Sequence, residues 1–239
     1  MRNYIYGKKI VENVIKNFSN QIVKIYILKG HSFEQEIYSI IKKNNIKWSS
    51  VEKGNFLKII KEKIKHQGYI AEVKEYQYCE LSNIYNNSKE RQVILIIDQL
   101  QDPQNFGAII RTASLFNVDG IIIQENNQVK VTPAVVKASV GTIYNIPIVK
   151  VSNLKDAINS LKNQGFWIYS SFLGKDSKSI NEINFDKKTA IVIGNEATGI
   201  SKKILSVSDF NFKIETSNVI DSLNVSVATG IILFKISAI

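Results

Sequence analysis

Val93-Ile-Leu-Ile-Ile97 is an unbroken run of branched apolar side chains, with Asp98 directly after it. A strand wetted on one face would alternate polar with apolar, so this run needs cover on both faces, as in a parallel sheet layered between helices. The segments Gly120–Ile123, Ile146–Val149, Phe166–Ser170, Ala190–Ile193 and Phe212–Ile214 also read as strands. Between them the periodicity predicts helices over 105–116, from Pro133 with the proline in first position, over Asn153–Asn163, and from about Ser222 to Ile236. Leu154, Ala157, Ile158 and Leu161 share one face of the third helix. Strand–helix alternation of this kind predicts an α/β fold, a parallel sheet with helices on both faces.

The first third is organised differently. Lys24–Leu28 and Tyr69–Val73 read as strands, Phe33–Lys43 and Asn55–Ile64 as helices, which together make a small α/β module. Residues 79–90 are polar and weakly periodic and read as a linker. The expected organisation is therefore an N-terminal domain over 1–78, a linker over 79–90 and a second domain over 91–239. Charge follows the same division. Residues 1–78 carry 15 Lys/Arg and 7 Asp/Glu, a net +8 of the chain's +10. A general lysine bias would account for the total, but an excess gathered in one third of the chain points to a polyanionic partner.

Several chemistries drop out. One cysteine, Cys79, rules out an internal disulfide and a cysteine-based metal site, and the two histidines, His31 and His66, lie far apart in the chain. The first residues lack the apolar stretch of a signal peptide and the longest apolar runs are strand-sized, so a reducing cytoplasm is the expected location. Gly194 and Gly199 have P-loop spacing, but Ile200-Ser201 follows where the phosphate-binding lysine would stand. No Gly-x-Gly-x-x-Gly follows a predicted strand. Ser114, Ser222 and Ser226 lack the Gly-x-Ser-x-Gly elbow and a histidine partner.

Three polar or glycine-bearing blocks sit at strand–helix junctions, where α/β folds build their sites. They are Asp102-Pro-Gln-Asn-Phe-Gly-Ala-Ile-Ile-Arg-Thr-Ala113, Ile193-Gly-Asn-Glu-Ala-Thr-Gly-Ile200 and Asp221-Ser-Leu-Asn-Val-Ser-Val-Ala-Thr-Gly-Ile231. The first contains Arg111, one of only three arginines beside 28 lysines. A chain that uses lysine wherever charge suffices has kept guanidinium geometry here, either to grip a phosphate or carboxylate or to serve a structural carboxylate. Asn105 reads as a helix N-cap or a site residue, and Ser222 as the N-cap of the last helix, where an anion would be favoured.

In order and spacing, the three blocks resemble the signature motifs of the SpoU/TrmH class of SPOUT RNA methyltransferases over residues 91–239. Residues 1–78, from Tyr6-Gly7 to His66-Gln67-Gly68, are similar to that family's N-terminal substrate-binding domain of L30e-like fold. The resemblance implies a homodimer that uses S-adenosylmethionine to methylate a ribose 2′-hydroxyl in RNA, most closely a guanosine of 23S rRNA. A tRNA ribose methyltransferase or a non-catalytic RNA-binding protein on the same fold is the alternative. It also implies a C-terminal trefoil knot. Arg111, Asn105, Glu196, Ser222 and Asn224 correspond to its catalytic positions, with Glu196 near Arg111. Gly194, Ile214 and Leu223 correspond to its cofactor-binding positions, and no metal is involved. The family's Ile-Pro-Met-x-Gly is replaced by Ile214-Glu-Thr-Ser-Asn218, which puts a charge, Glu215, at the expected pocket edge.

Overall fold

The computed structural model describes residues 3–59, 66–85, 88–217 and 222–237. The chain divides into two compact units, the first made of residues up to Gln77 together with Val131–Tyr144, the second of Tyr78–Lys130 with Asn145 onward. In the first unit the order is β1 (Asn3–Tyr6), α1 (Lys8–Asn17), β2 (Ile22–Leu28), α2 (Gln35–Lys43), β3 (Lys47–Val51), α3 (Lys53–Ile59) and β4 (Tyr69–Val73). These strands form one sheet in the order β1-β4-β2-β3, with β4 antiparallel to both neighbours and β2 parallel to β3. Helix α1 buries Val11, Val14 and Ile15, the i, i+3, i+4 spacing of one helical face.

The second unit runs β5 (Gln92–Ile97), α4 (Pro103–Leu115) and β6 (Gly120–Gln124) before the chain leaves for α5 (Pro133–Ala138) in the first unit. It resumes with β7 (Ile148–Val151), α6 (Leu154–Asn163), β8 (Trp167–Ser171), β9 (Lys178–Ser179), β10 (Lys188–Ile193), α7 (Lys202–Leu205), β11 (Phe210–Lys213) and α8 (Val225–Ser237). The seven strands form a parallel sheet in the order β7-β6-β5-β10-β8-β11-β9. All four side chains of Ile94–Ile97 are fully buried, as an unbroken apolar run requires. Ile94, Ile96, Ile122, Ile168, Ala190 and Val192 form one core layer with Leu154, Ala157, Ile158 and Leu161 of α6 and Ile204 of α7. Alternation turns Leu95, Ile97, Ile121, Ile123, Ile191 and Ile193 to the other face. Helices α4 and α8 pack on each other. No helix among the described residues is long and apolar enough to cross a membrane.

Two features were hidden from the periodicity. Strand β3 begins with exposed Lys47 and Trp48, so it shows no apolar stripe. Within 79–90, read as a linker, Ile84 is 2% exposed and joins the core layer of α6, with Leu81 and Tyr85 packed against it. Room for it comes from Gly120 at the head of β6, where a Cβ would lie 2.5 Å from the Ile84 side chain. Leu81, Ile84 and Tyr85 are too few and too irregularly spaced in this polar stretch to set a period, so the burial of Ile84 could not be read from the sequence.

Ile84→Ala should therefore act as a core truncation and cost roughly 2–4 kcal/mol of unfolding free energy. Urea denaturation followed by circular dichroism checks this. A loss under about 0.5 kcal/mol, the size of a surface change, would return the segment to a plain connector.

Candidate active site

The carboxyl ends of β8, β10 and β11 open into a cleft of about 500 Å³, within the range of small-molecule sites. Ser171, Phe172 and Leu173 line it from β8, Ile193 to Gly199 from β10, and Ile214 and Thr216 from β11. Ser222, Leu223, Val225 and Ala228 complete the wall at the start of α8. Gly194, Ile214 and Leu223 thus lie on one cleft, as do Glu196 and Ser222. Glu215 is exposed between two lining residues and is not itself in the wall. Asn218 falls outside the described residues.

The loop after β10 closes on itself. Asn195 and Gly199 exchange both backbone hydrogen bonds at 3.0 and 2.9 Å, and the Asn195 Oδ1 accepts from the amides of Ala197 at 2.8 Å and Thr198 at 3.3 Å. Gly194 is required by this closure. A Cβ there would sit 2.2 Å from the carbonyl carbon of Gly199 and 2.5 Å from the Ile200 nitrogen, both backbone atoms that cannot yield.

A second loop, entering α4, is fastened to the first. Buried Asp98 accepts from the Ser201 amide at 2.9 Å, and Asn195 Nδ2 donates to the Gln99 carbonyl at 2.7 Å. Gln99 stands at φ +64°, a left-handed backbone that a non-glycine residue adopts only when its surroundings hold it. From the other side the Leu100 amide donates to Gln128 Oε1 at 2.8 Å. Asp102, not Asn105, caps α4, accepting from the amides of Gln104 and Asn105. Pro103 follows in first position, where its missing N–H costs nothing.

Relieved of capping, the Asn105 side chain spans the cleft edge. Its Nδ2 donates to Glu196 Oε1 at 2.9 Å, and its Oδ1 accepts from Asn224 Nδ2 at 3.0 Å. Asn224 Oδ1 accepts in turn from the Ser226 amide and hydroxyl at 2.9 and 2.6 Å. Asn224 is therefore the N-cap of α8, and the helix begins at Val225, later than the sequence reading placed it. Ser222 precedes the cap and lines the cleft instead, while the first free amides of α8 are turned to Asn224 rather than to an anion. One residue from each sequence block thus meets in a single hydrogen-bonded chain, Glu196–Asn105–Asn224.

Arg111 does not join it. It is exposed on α4 outside the cleft wall, and Glu196 pairs with Asn105 rather than with the guanidinium; among the described residues Arg111 has no ion-pair partner. On the same helix face, one turn later, Leu115 is 72% exposed. Asn195, Gln99 and Gln128 were not singled out by sequence reasoning. Asn195 stood inside the second block, whereas nothing local marked the other two.

Residues 92–234 match the model of the SpoU rRNA Methylase family, and residues 4–79 match that for RNA 2′-O ribose methyltransferase substrate binding. The chain is 40% identical over 212 residues to a Borreliella burgdorferi protein named as an uncharacterized tRNA/rRNA methyltransferase, covering 84% of this chain and 92% of that one. It is 31% identical to Bacillus subtilis YacO, named for the TrmH family of tRNA/rRNA methyltransferases, over 98% and 94% of the two chains. The AdoMet-bound rRNA methyltransferase of Sinorhizobium meliloti superposes with a TM-score of 0.79 at 23% identity, covering 98% of this chain and 86% of that one. That likeness is one of fold.

The clamp between the two loops can be tested directly. Asn195→Asp keeps the oxygen that organises its own loop but sets a second oxygen against the Gln99 carbonyl. A loss of roughly 1–3 kcal/mol in denaturant unfolding is expected. Wild-type stability in this variant would show that Gln99 is held by other means.

Proposed function

The chain belongs to the SpoU rRNA methylase family and is an S-adenosylmethionine-dependent RNA methyltransferase; from that premise we propose that it methylates a ribose 2′-hydroxyl, with a guanosine of 23S rRNA as its substrate, in the cytoplasm. The observation that carries the reading is the joining of Glu196, Asn105 and Asn224 beside one cleft. The cleft suits the methyl donor in size and lining: about 500 Å³, walled by apolar Ile214, Leu223 and Val225, with loop backbone at Gly194. Bound there, the donor supplies an electrophilic methyl on a sulfonium. A presence of both polar and apolar surface fits its adenosine and amino-acid ends.

The chain's own groups would align and polarise the attacking ribose. A guanidinium stays protonated at ordinary pH, so Arg111 is assigned to stabilising the developing alkoxide and holding the neighbouring phosphate, not to removing the proton. The Glu196–Asn105–Asn224 chain holds the rim in one arrangement, and Ser222 offers a hydroxyl to a cleft ligand. The basic N-terminal module, matched over 4–79 to a substrate-binding model, is assigned to the RNA.

We extend the proposal to a homodimer in which the partner completes the site. Val227, Ile231 and Phe234 are 52%, 39% and 67% exposed, and their i, i+4, i+7 spacing makes a second apolar face on α8, opposite the buried Val225, Thr229, Ile232 and Ile236. Arg111 and Leu115 lie on the exposed face of α4, which packs beside α8. An interface on these helices would carry Arg111 out of its own chain and toward the partner's cleft. Light scattering at micromolar concentration should give about twice the 27.0 kDa chain mass, and Phe234→Glu should lower it toward one chain. An active enzyme at monomer mass would overturn the shared site.

Labelled S-adenosylmethionine with total RNA, followed by 2′-O-methyl-sensitive primer extension, tests the activity and its target; label confined to tRNA would overturn the rRNA assignment. Arg111→Lys keeps the charge but loses the planar fork, and methyl transfer should fall by roughly 100-fold or more with little change in donor binding. Near-normal turnover would remove Arg111 from catalysis.

A further inference from the structure

We propose that the first unit carries a base-stacking platform, Trp48 backed by Tyr38, for an unpaired nucleotide of the substrate RNA. The identity of that RNA rests on the methyltransferase reading; the platform itself rests on the following geometry.

Trp48 is the second residue of β3, the outer strand of its sheet, and is 45% exposed. Its register partner on β2, Ile25, is fully buried. The indole therefore stands on the core side of the sheet but overhangs the edge of the core instead of filling it. Its ring lies 5.5 Å from that of Tyr38 on α2, Tyr38 lies 5.9 Å from Phe33, and Phe33 lies 4.8 Å from Tyr69. Phe33 and Tyr69 are buried, and the Tyr69 hydroxyl donates to the Ser32 carbonyl at 2.6 Å. The inner rings brace the outer ones, so the indole is held without being covered. A flat aromatic surface fixed in advance is what a stacking base needs, because little rotamer freedom remains to be lost.

Charge selects the occupant. Lys42 follows Tyr38 by one helical turn, Lys43 comes next, and Lys47 precedes Trp48; all three are exposed, and none has an ion-pair partner among the described residues. Lys47 projects to the opposite face of β3, where it stands in register with Lys24, whose other cross-strand neighbour is Glu72. Glu72 and the Tyr26 ring, 4.9 Å from the Lys24 ammonium, offset that pair, which lies on the face away from the indole and has no part in the platform. A bulky edge residue can also serve only to block strand addition, but a lysine does that, and β3 already begins with one. Within a module of net +8, an exposed ring backed by a helix that carries the unpaired Lys42 and Lys43 fits a nucleic-acid strand rather than an apolar protein face.

The chain has two tryptophans, Trp48 and Trp167, so a Trp167→Phe full-length protein reports Trp48 alone. Titration with an RNA hairpin bearing an unpaired loop should quench that emission, whereas a fully paired RNA duplex of matched length should not. Trp48→Leu should weaken hairpin binding by about 10-fold with an unchanged salt slope, since no phosphate contact is lost, and Trp48→Phe should retain most of the affinity. Lys42→Gln should instead reduce the salt slope by about one. Failure of the hairpin to bind, equal quenching by hairpin and duplex, or wild-type affinity in Trp48→Leu would overturn the platform. So would an emission change that follows protein concentration without RNA, which would assign the face to a second copy. Methyl transfer measured on the same samples separates the two readings: an active enzyme with silent Trp48 loses only the platform, and an inactive one with hairpin-specific quenching loses only the methyltransferase assignment.

Discussion

The backbone amide of Ser226 can only donate, and the polar edge of the cleft takes its orientation from that fact. Asn224 must present Oδ1 to the start of α8, so its Nδ2 faces outward and meets the Oδ1 of Asn105. Asn105 is then obliged to turn Nδ2 to Glu196, whose carboxylate can only accept. Two amides that could each point either way are fixed by a helix end on one side and a carboxylate on the other. Each link contributes on the order of 1 kcal/mol or less at an exposed rim. What the chain provides is a single arrangement of three loops drawn from positions spread over 119 residues of sequence.

Those loops are precise for a second reason. They leave the sheet from buried parallel strands and are fastened within a few residues: Asp98 to Ser201, Asn195 to Gln99, Gln128 to Leu100. The fastening groups are partly buried, where an unmet donor or acceptor costs more than a hydrogen bond gains. The left-handed Gln99 is maintained by this set. Cleft walls of this kind suit a reaction that demands alignment of two reactants more than exotic chemistry.

How much could be read beforehand depended on whether a residue's environment is written in its own neighbourhood. Unbroken apolar runs such as Ile94–Ile97 have few places to go, and the parallel sheet follows from them. Gly194, Glu196, Ile214, Ser222 and Leu223 were marked by motif and do gather on one cleft. The cap of α4 stayed open and that of α8 fell on Ser222, because Asp102 and Asn105, or Ser222 and Asn224, are equally good caps as isolated side chains; only the backbone path decides between them. The burial of Ile84 depends on a missing Cβ at Gly120, 36 positions away, and the Asn195–Gln99 clamp spans 96 positions. Such pairings leave no trace in a local pattern.

The assignment of α5 to the first unit carries a consequence for biosynthesis. Asn13 Nδ2 donates to the Val140 carbonyl at 2.6 Å, the Lys137 ammonium lies 4.9 Å from the Tyr6 ring, and α5 packs on β1. A nascent chain emerging from the ribosome cannot complete this module at Gln77. It must wait until about residue 144 has left the tunnel, by which time β5, α4 and β6 of the other unit are outside as well. The two folding reactions are interleaved in time, and the flank of β1 destined for α5 stays bare through some 60 residues of elongation, several seconds at ordinary translation speeds. In that interval the unfinished module is the segment most open to mispairing.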